Sequence, residues 1–153
     1  MIAPEYKSFD GVNPKDFISL LNTEKVRAHL IQHQCFDSDS VVLWIKDKLA
    51  VDAQEHCRVR AICANDNLVG WCGIQYDHGR YEIAIILDEH YWGMGKVVFK
   101  DVMSWARELG HDEIFIHFLH TRPDYRFLRK MAKNVFETEM LGDKFVTYQL
   151  PVN

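Results

Sequence analysis

The sequence has no run approaching the roughly 20 apolar residues that a membrane-spanning helix needs, and residues 1–10 lack the basic-then-apolar order of a secretory signal. No membrane role is expected, and a cytoplasmic location is. Proline is scarce, with 4 residues, and glycine numbers 8, which together with the 48% hydrophobic content excludes disordered and fibrous chains. The four cysteines, Cys35, Cys57, Cys63 and Cys72, form no CxxC and no zinc-like pairing, so reduced structural thiols are expected. Positive charge is in deficit: 18 Lys and Arg against 22 Asp and Glu give a net charge of −4, which repels a phosphate backbone and disfavours nucleic acid as a partner. No repeat, low-complexity tract or Ser/Gly linker divides the chain. Its 153 residues are read as one domain, 1–153.

What the sequence does contain is an ordered change of period. Asn13-Pro14 has cap chemistry for a helix carrying Phe17, Ile18, Leu20 and Leu21. Asn22 or Thr23 offers a second cap, with Val26, Leu30 and His33 on one face, and the Ser38-Asp39-Ser40 cluster starts a third helix with Val41, Trp44, Ile45 and Leu49 at helical spacing. From Arg58 the period shortens, predicting strands at 58–64, 68–76 and 80–87, separated by the turn residues Asn65-Asp66-Asn67 and Asp77-His78-Gly79. A strong amphipathic helix then carries Val98, Val102, Trp105 and Leu109 and stops at Gly110. A strand at 113–119, a basic helix from Pro123 to about Lys133, and a closing hairpin of 136–140 with 144–150 complete the order.

The segment from Glu82 to Lys96 carries the most chemistry. A strand delivers the chain into Trp92-Gly93-Met94-Gly95, which opens a helix, and a helix start with free backbone amides attracts phosphate. Residues without a Cβ let the backbone approach a pyrophosphate, and Lys96 adds charge. A plain helix-start turn satisfies the same pattern.

The segments Leu21-Asn22-Thr23-Glu24-Lys25-Val26-Arg27-Ala28-His29-Leu30, Leu68-Val69-Gly70-Trp71-Cys72-Gly73, Glu82-Ile83 through Trp92-Gly93-Met94-Gly95, and Tyr148-Gln149-Leu150 settle the preference. They are similar, in that order, to "LNDPEVRRYL", "LIGxxGL", "EIGYWLxPEYWGKG" and "YSL" of the GNAT superfamily of acyl-CoA N-acyltransferases. Within it, the chain most resembles the branch of ribosomal-protein N-terminal acetyltransferases.

The resemblance implies a single domain of α/β (mixed α+β) class: a mostly antiparallel mixed sheet, splayed between its fourth and fifth main strands and flanked by helices. It implies acetyl-CoA in that cleft as acyl donor, and a primary amine as acceptor, either a protein N-terminus or a small molecule. The residues it assigns to acetyl-CoA are Leu87, His90, Tyr91, Trp92, Gly93, Met94, Gly95 and Lys96. His90 stands where the Q/RxxGxG/A motif has Gln or Arg. Aligning Lys130 on the Lys of the branch's NxxSxxVLEKLGF adds Thr121 at the Asn and puts Asp124 at the Ser, while Ala132-Lys133 replaces the Gly-Phe.

Acetyl transfer to an amine needs a neutral amine, a polarised thioester and a proton for the thiolate. Glu82, on the cleft strand, is the first candidate base, with a salt bridge to Arg80 as its plain structural alternative; His120 is the second. Tyr125 is the candidate acid, with Tyr148 behind it. His29 and His33 at i and i+4 lack a third ligand, so no metal is expected. Two other classes stay open: an idle acyl-CoA-binding or sensing module, and a toxin-type acetyltransferase acting on aminoacyl-tRNA through Arg122, Arg126, Arg129, Lys130 and Lys133. An acidic chain favours a cationic acceptor at long range, and homodimerisation is left open.

Overall fold

The computed structural model describes residues 3–23, 35–77, 79–122, 125–140 and 142–152. The expected second helix, with His29 and His33, and the positions of Pro123 and Asp124 lie outside the described residues. In chain order the elements are β1 (Glu5–Lys7), a 3-10 turn (Phe9–Gly11), α1 (Pro14–Leu21), α2 (Ser38–Asp52), β2 (Arg58–Ala64), β3 (Asn67–Asp77), β4 (Arg80–Leu87), a 3-10 segment (Glu89–Met94), α3 (Gly95–Glu108), β5 (Glu113–Leu119), α4 (Arg126–Met131), β6 (Asn134–Met140) and β7 (Asp143–Pro151).

Local chemistry sets the boundaries. Asn13 accepts from the Lys15 amide with Pro14 at the first helical position. At α2, Asp37 accepts from the Asp39 and Ser40 amides while the Ser40 hydroxyl accepts from the Asp37 amide, a complete capping box. Asn65 and Asp66 both take positive φ, 51° and 67°, the conformation that a tight hairpin between twisted strands demands. Gly110, at φ 87°, stops α3 as the pattern predicts.

The strands form one sheet in the order β1-β2-β3-β4-β5-β7-β6. All neighbours are antiparallel except β4 and β5, which α3 connects by crossover and which run parallel. Those two pair only at Glu82↔Phe115 and Ile83↔Ile116. Beyond that point Leu87 and Leu119 lead away from each other, which is the splay expected between the fourth and fifth strands.

Period-2 alternation then assigns each face. Ile83, Ile114 and Ile116 pack with Val98, Val102 and Leu128 under α3 and α4. On the opposite face Val59, Ala61 and Trp71 pack with Phe9, Phe17, Leu21, Val41 and Ile45 under α1 and α2.

Two details differ from expectation. β1 has no counterpart in the sequence pattern, because three residues carry no readable period; it is held by pairing with β2 and by Tyr6, whose hydroxyl donates to Asp101 Oδ2 at 2.5 Å and whose ring meets Trp105 edge-on at 4.9 Å. The last helix is one short element, Arg126–Met131, since Ala132 is already extended and Lys133 donates its amide to the Gln149 carbonyl at the start of the closing hairpin.

Gly73 sits where β2 and β3 pack too tightly for a side chain: a Cβ there would run into the Arg58 carbonyl oxygen and the Val59 backbone. Gly73→Ala should therefore lower stability by about 1–3 kcal/mol in urea unfolding. Gly11→Ala, where a Cβ meets nothing within 4 Å, should be close to neutral.

Candidate active site

The divergence of β4 and β5 opens a cavity of about 780 Å³ on the α3 and α4 side. Ile85, Leu87, Phe99, Ile116 and Phe118 supply its apolar walls; Lys96, Arg122, Arg126 and Lys130 place four cations around it. Arg122 donates to the Tyr125 hydroxyl at 2.5 Å and lies 5.2 Å over the Phe118 ring; Lys96 lies 5.3 Å over Phe127. No side chain caps the N-terminus of α3, a 14-residue helix whose positive end lies at the cavity, although the Gly95 amide already donates to the Trp92 carbonyl of the preceding 3-10 segment. A Cβ built at Gly93 or Gly95 would project into open space. These glycines therefore leave room, and neither needs positive φ.

The residues assigned to the donor divide. Leu87, Trp92, Gly93, Gly95 and Lys96 line the cavity, and Trp92 donates its indole N–H to the Leu87 carbonyl at 3.0 Å. Met94 is buried in the core, and Tyr91 packs against that same core. His90 is exposed, its amide bonded to Asp88 Oδ1, and Thr121 is exposed. Arg122, Arg126 and Lys130, read from sequence as surface for RNA, face the cavity. The signal for that was the Lys130 alignment, which the overall acidity of the chain obscured.

Of the candidates for proton transfer, Tyr125 lines the cavity as the N-cap residue of α4, its ring 4.8 Å from Phe118. Tyr148 is buried in the core. His120 is exposed, with its Nδ1 3.0 Å from the Lys144 carbonyl oxygen. Glu82 sits at the apex of the splay on the α2 face.

The partner of Glu82 is not Arg80. His117 Nε2 lies 2.8 Å from Glu82 Oε2, and the two side chains are only 8% and 13% exposed. The contact is one of close approach, not a directed hydrogen bond, and neither atom has a hydrogen-bond partner. On its far side His117 Nδ1 is 2.6 Å from the hydroxyl of the fully buried Thr147, which is 2.9 Å from the Thr138 hydroxyl. A polar row thus crosses four strands. Sequence reasoning missed His117 because its strand reads as uniformly apolar; the period-2 parity of Phe115 and His117 was the available signal.

Lys48 completes the α2 face. Its Nζ donates to Gln75 Oε1 at 2.5 Å and lies 4.4 Å over Trp71; Gln75 is the cross-strand partner of Glu82. Burial pushes its ammonium down to about 8, against the opposing pull of Asp77, Glu82 and Asp47. Among the described residues no group of three or more His, Cys, Asp or Glu could hold a metal, and no helix is long and apolar enough to cross a membrane.

Residues 11–123 match the model of the acetyltransferase (GNAT) domain, and the chain belongs to that family. No curated protein matches it in sequence. Among solved structures it is similar to the Salmonella typhimurium acetyl transferase that modifies the N-terminal serine of 50S ribosomal subunit protein L7/L12, with a TM-score of 0.74, 13% identity, and 98% of this chain and 95% of that one covered. It is also similar to an N-acetyltransferase from Staphylococcus aureus Mu50, with a TM-score of 0.68, 13% identity, and 100% and 99% covered. A third likeness is to a Salmonella typhimurium structure assigned as an acetyltransferase and solved with its cofactor acetyl-CoA, with a TM-score of 0.65, 12% identity, and 100% and 95% covered. At these identities the likeness is one of fold.

The Lys48 environment gives a pH signature. Between about 8 and 10.5 the unfolded chain holds a proton on this lysine that the folded chain has released, so this group makes stability rise with pH across that window. Lys48→Met removes the term. The stability difference between wild type and Lys48→Met, from urea titrations at a series of pH values, should shift in favour of wild type from pH 8 to 10.5 and stay flat from 6 to 7.

Proposed function

We propose that this protein transfers an acetyl group from acetyl-CoA to a primary amine, a protein N-terminus or a small-molecule amine. The observation that carries the reading is a cavity walled by apolar side chains and four cations that opens where β4 and β5 part, with the Glu82–His117 pair at the apex of the same split.

The residues fit such a donor. Ile85, Leu87, Phe99, Ile116 and Phe118 suit a pantetheine arm. Lys96, Arg122, Arg126, Lys130 and the uncapped start of α3 suit its phosphates, and the open space at Gly93 and Gly95 is room a phosphate can fill. The donor supplies an activated acetyl thioester.

The chain's own groups handle the protons. Glu82 takes the proton of the acceptor ammonium. His117, anchored at Nδ1 by the Thr147 hydroxyl that in turn meets Thr138, holds its Nε2 against the Glu82 carboxylate and fixes it in place until the acceptor arrives. Tyr125 accepts from Arg122, which leaves its own O–H free to protonate the departing thiolate. The bond formed is carbonyl carbon to nitrogen and the bond broken is carbonyl carbon to sulfur; Glu82 passes the first proton to solvent and takes the second from the attacking nitrogen as the adduct collapses, Tyr125 gives its proton to sulfur and regains one from solvent, and one proton is released overall.

The N-terminal-serine activity of the Salmonella typhimurium relative supports a protein N-terminus as one acceptor, in line with the resemblance to that branch. The aminoacyl-tRNA reading loses its main support, because Arg122, Arg126 and Lys130 are turned to the cavity.

Acetyl-CoA should raise the melting temperature, and Gly95→Asp should abolish the rise by putting bulk and negative charge at the helix start; stabilisation unchanged by that substitution places the donor elsewhere. Glu82→Gln should keep acetyl-CoA binding yet lower turnover by about 10²-fold, with the deficit shrinking as pH rises and more amine is neutral. Measured pH–rate profiles check this, and acetyl-CoA binding without CoA release from any amine would favour an idle binding module.

A further inference from the structure

The α2 face holds two cations that proton transfer does not use. Arg80 stands two residues before Glu82 on β4 and so projects from the same face. Its guanidinium lies 4.7 Å over Phe115 and 5.8 Å over Phe136. Among the described residues no carboxylate pairs with it, and its buried Nη1 has no hydrogen-bond partner. Asp77, across the strand pair from it, is exposed. On the other flank of Glu82, Lys48 reaches down from α2 to Gln75. The carboxylate at the apex thus has a cation on each side.

Desolvating a guanidinium without a counter-ion is unfavourable, and an incoming carboxylate offsets that cost with the two parallel hydrogen bonds its shape allows. Two fixed cations also disfavour an ammonium beside them, so an amine held there is shifted towards the neutral nucleophile. The same pair repels a polyamine or any other acceptor whose remaining charge is positive, which reverses the long-range preference suggested by net charge.

We propose that Arg80 and Lys48 form an anion-recognition subsite, and that the acceptor is an amine carrying a carboxylate, docked with the carboxylate on Arg80 and the amine at Glu82. The proposal rests on the acetyl-transfer reading above and names the chemistry of its acceptor.

The test follows CoA release by the full chain with free amino acids, the corresponding amino-acid amides, a polyamine, and peptides beginning with an acidic or a neutral residue. The acids should exceed their amides in kcat/KM by about 10-fold or more, as expected where a site is built around a polar group that the amide lacks. Arg80→Gln should collapse that ratio mainly through KM, and Arg80→Lys should restore part of it. Activity confined to peptides beginning with an acidic residue, lost in Arg80→Gln, supports the subsite and identifies a side-chain carboxylate as its ligand. Amides or polyamine used as well as the acids, or a ratio unchanged in Arg80→Gln, overturns the subsite and leaves acetyl transfer standing. If no amine releases CoA, acetyl transfer fails, and calorimetry of glutamate binding then decides the subsite alone: binding lost in Arg80→Gln supports it, and no binding overturns it.

Discussion

The brief parallel register of β4 on β5 is the constraint from which the rest of the molecule follows. Two residue pairs join them, and past Ile83 and Ile116 each strand keeps its antiparallel neighbour on one side and loses its partner on the other. Backbone polar groups along such a gap need partners from elsewhere. At its open end the Leu87 carbonyl accepts from the Trp92 indole, and a ligand threading the gap would meet the others. A fully zipped sheet would leave neither the cavity nor a route between its two faces. Hydrophobic clusters cover those faces, with α3 and α4 on one side and α1 and α2 on the other.

Charge is arranged against the overall balance. The chain is acidic by four charges, yet four cations surround the cavity and two more flank Glu82. Net charge sets long-range encounter, whereas recognition at contact is decided by the few charges that are desolvated. Four of these six cations rest on an aromatic ring or a neutral amide: Lys96 on Phe127, Arg122 on Phe118, Arg80 on Phe115, Lys48 on Trp71 and Gln75. Rings hold such groups in place without neutralising them, so the positive potential remains for a ligand.

Much of the fold was legible because its signals are local. The Asn65-Asp66 turn, the Asn13-Pro14 cap, Gly110 and the alternation along 80–87 each act within a few residues, and each strand from β2 onward falls where the pattern predicts it. β1 was not legible, since three residues carry no readable period and are fixed by pairing with β2 and by the contacts of Tyr6 with Asp101 and Trp105. The site was legible on the donor side, where glycine-containing turn and helix start are contiguous in sequence, though contiguity also misled: Met94 shares the turn and belongs to the core. On the acceptor side it was largely hidden. Lys48 reads as part of a helix's repeating face, and His117 looks less functional than His120, because proximity to Glu82 depends on a pairing 35 residues apart in sequence and on strand parity.

Parity is also what ties the two halves of the site together. Along β4, Ile83, Ile85 and Leu87 point to α3 while Arg80 and Glu82 point to α2; along β5, Ile116 and Phe118 face the cavity while Phe115 and His117 face the polar row. A slip of one residue in either strand would bury Glu82 or His117 in the apolar cluster and turn isoleucines into the polar row, so the hydrophobic pattern that folds the sheet also fixes the chemistry. The tight glycine contacts hold that register from the β2 side: a Cβ at Gly70 would strike the Ile86 carbonyl and one at Gly73 the Arg58 carbonyl. Close backbone packing at those two points locks β3 between β2 and β4. With β4 fixed in this way, Gln75 stays opposite Glu82, Lys48 stays above both, and the apex of the split keeps its carboxylate between two cations.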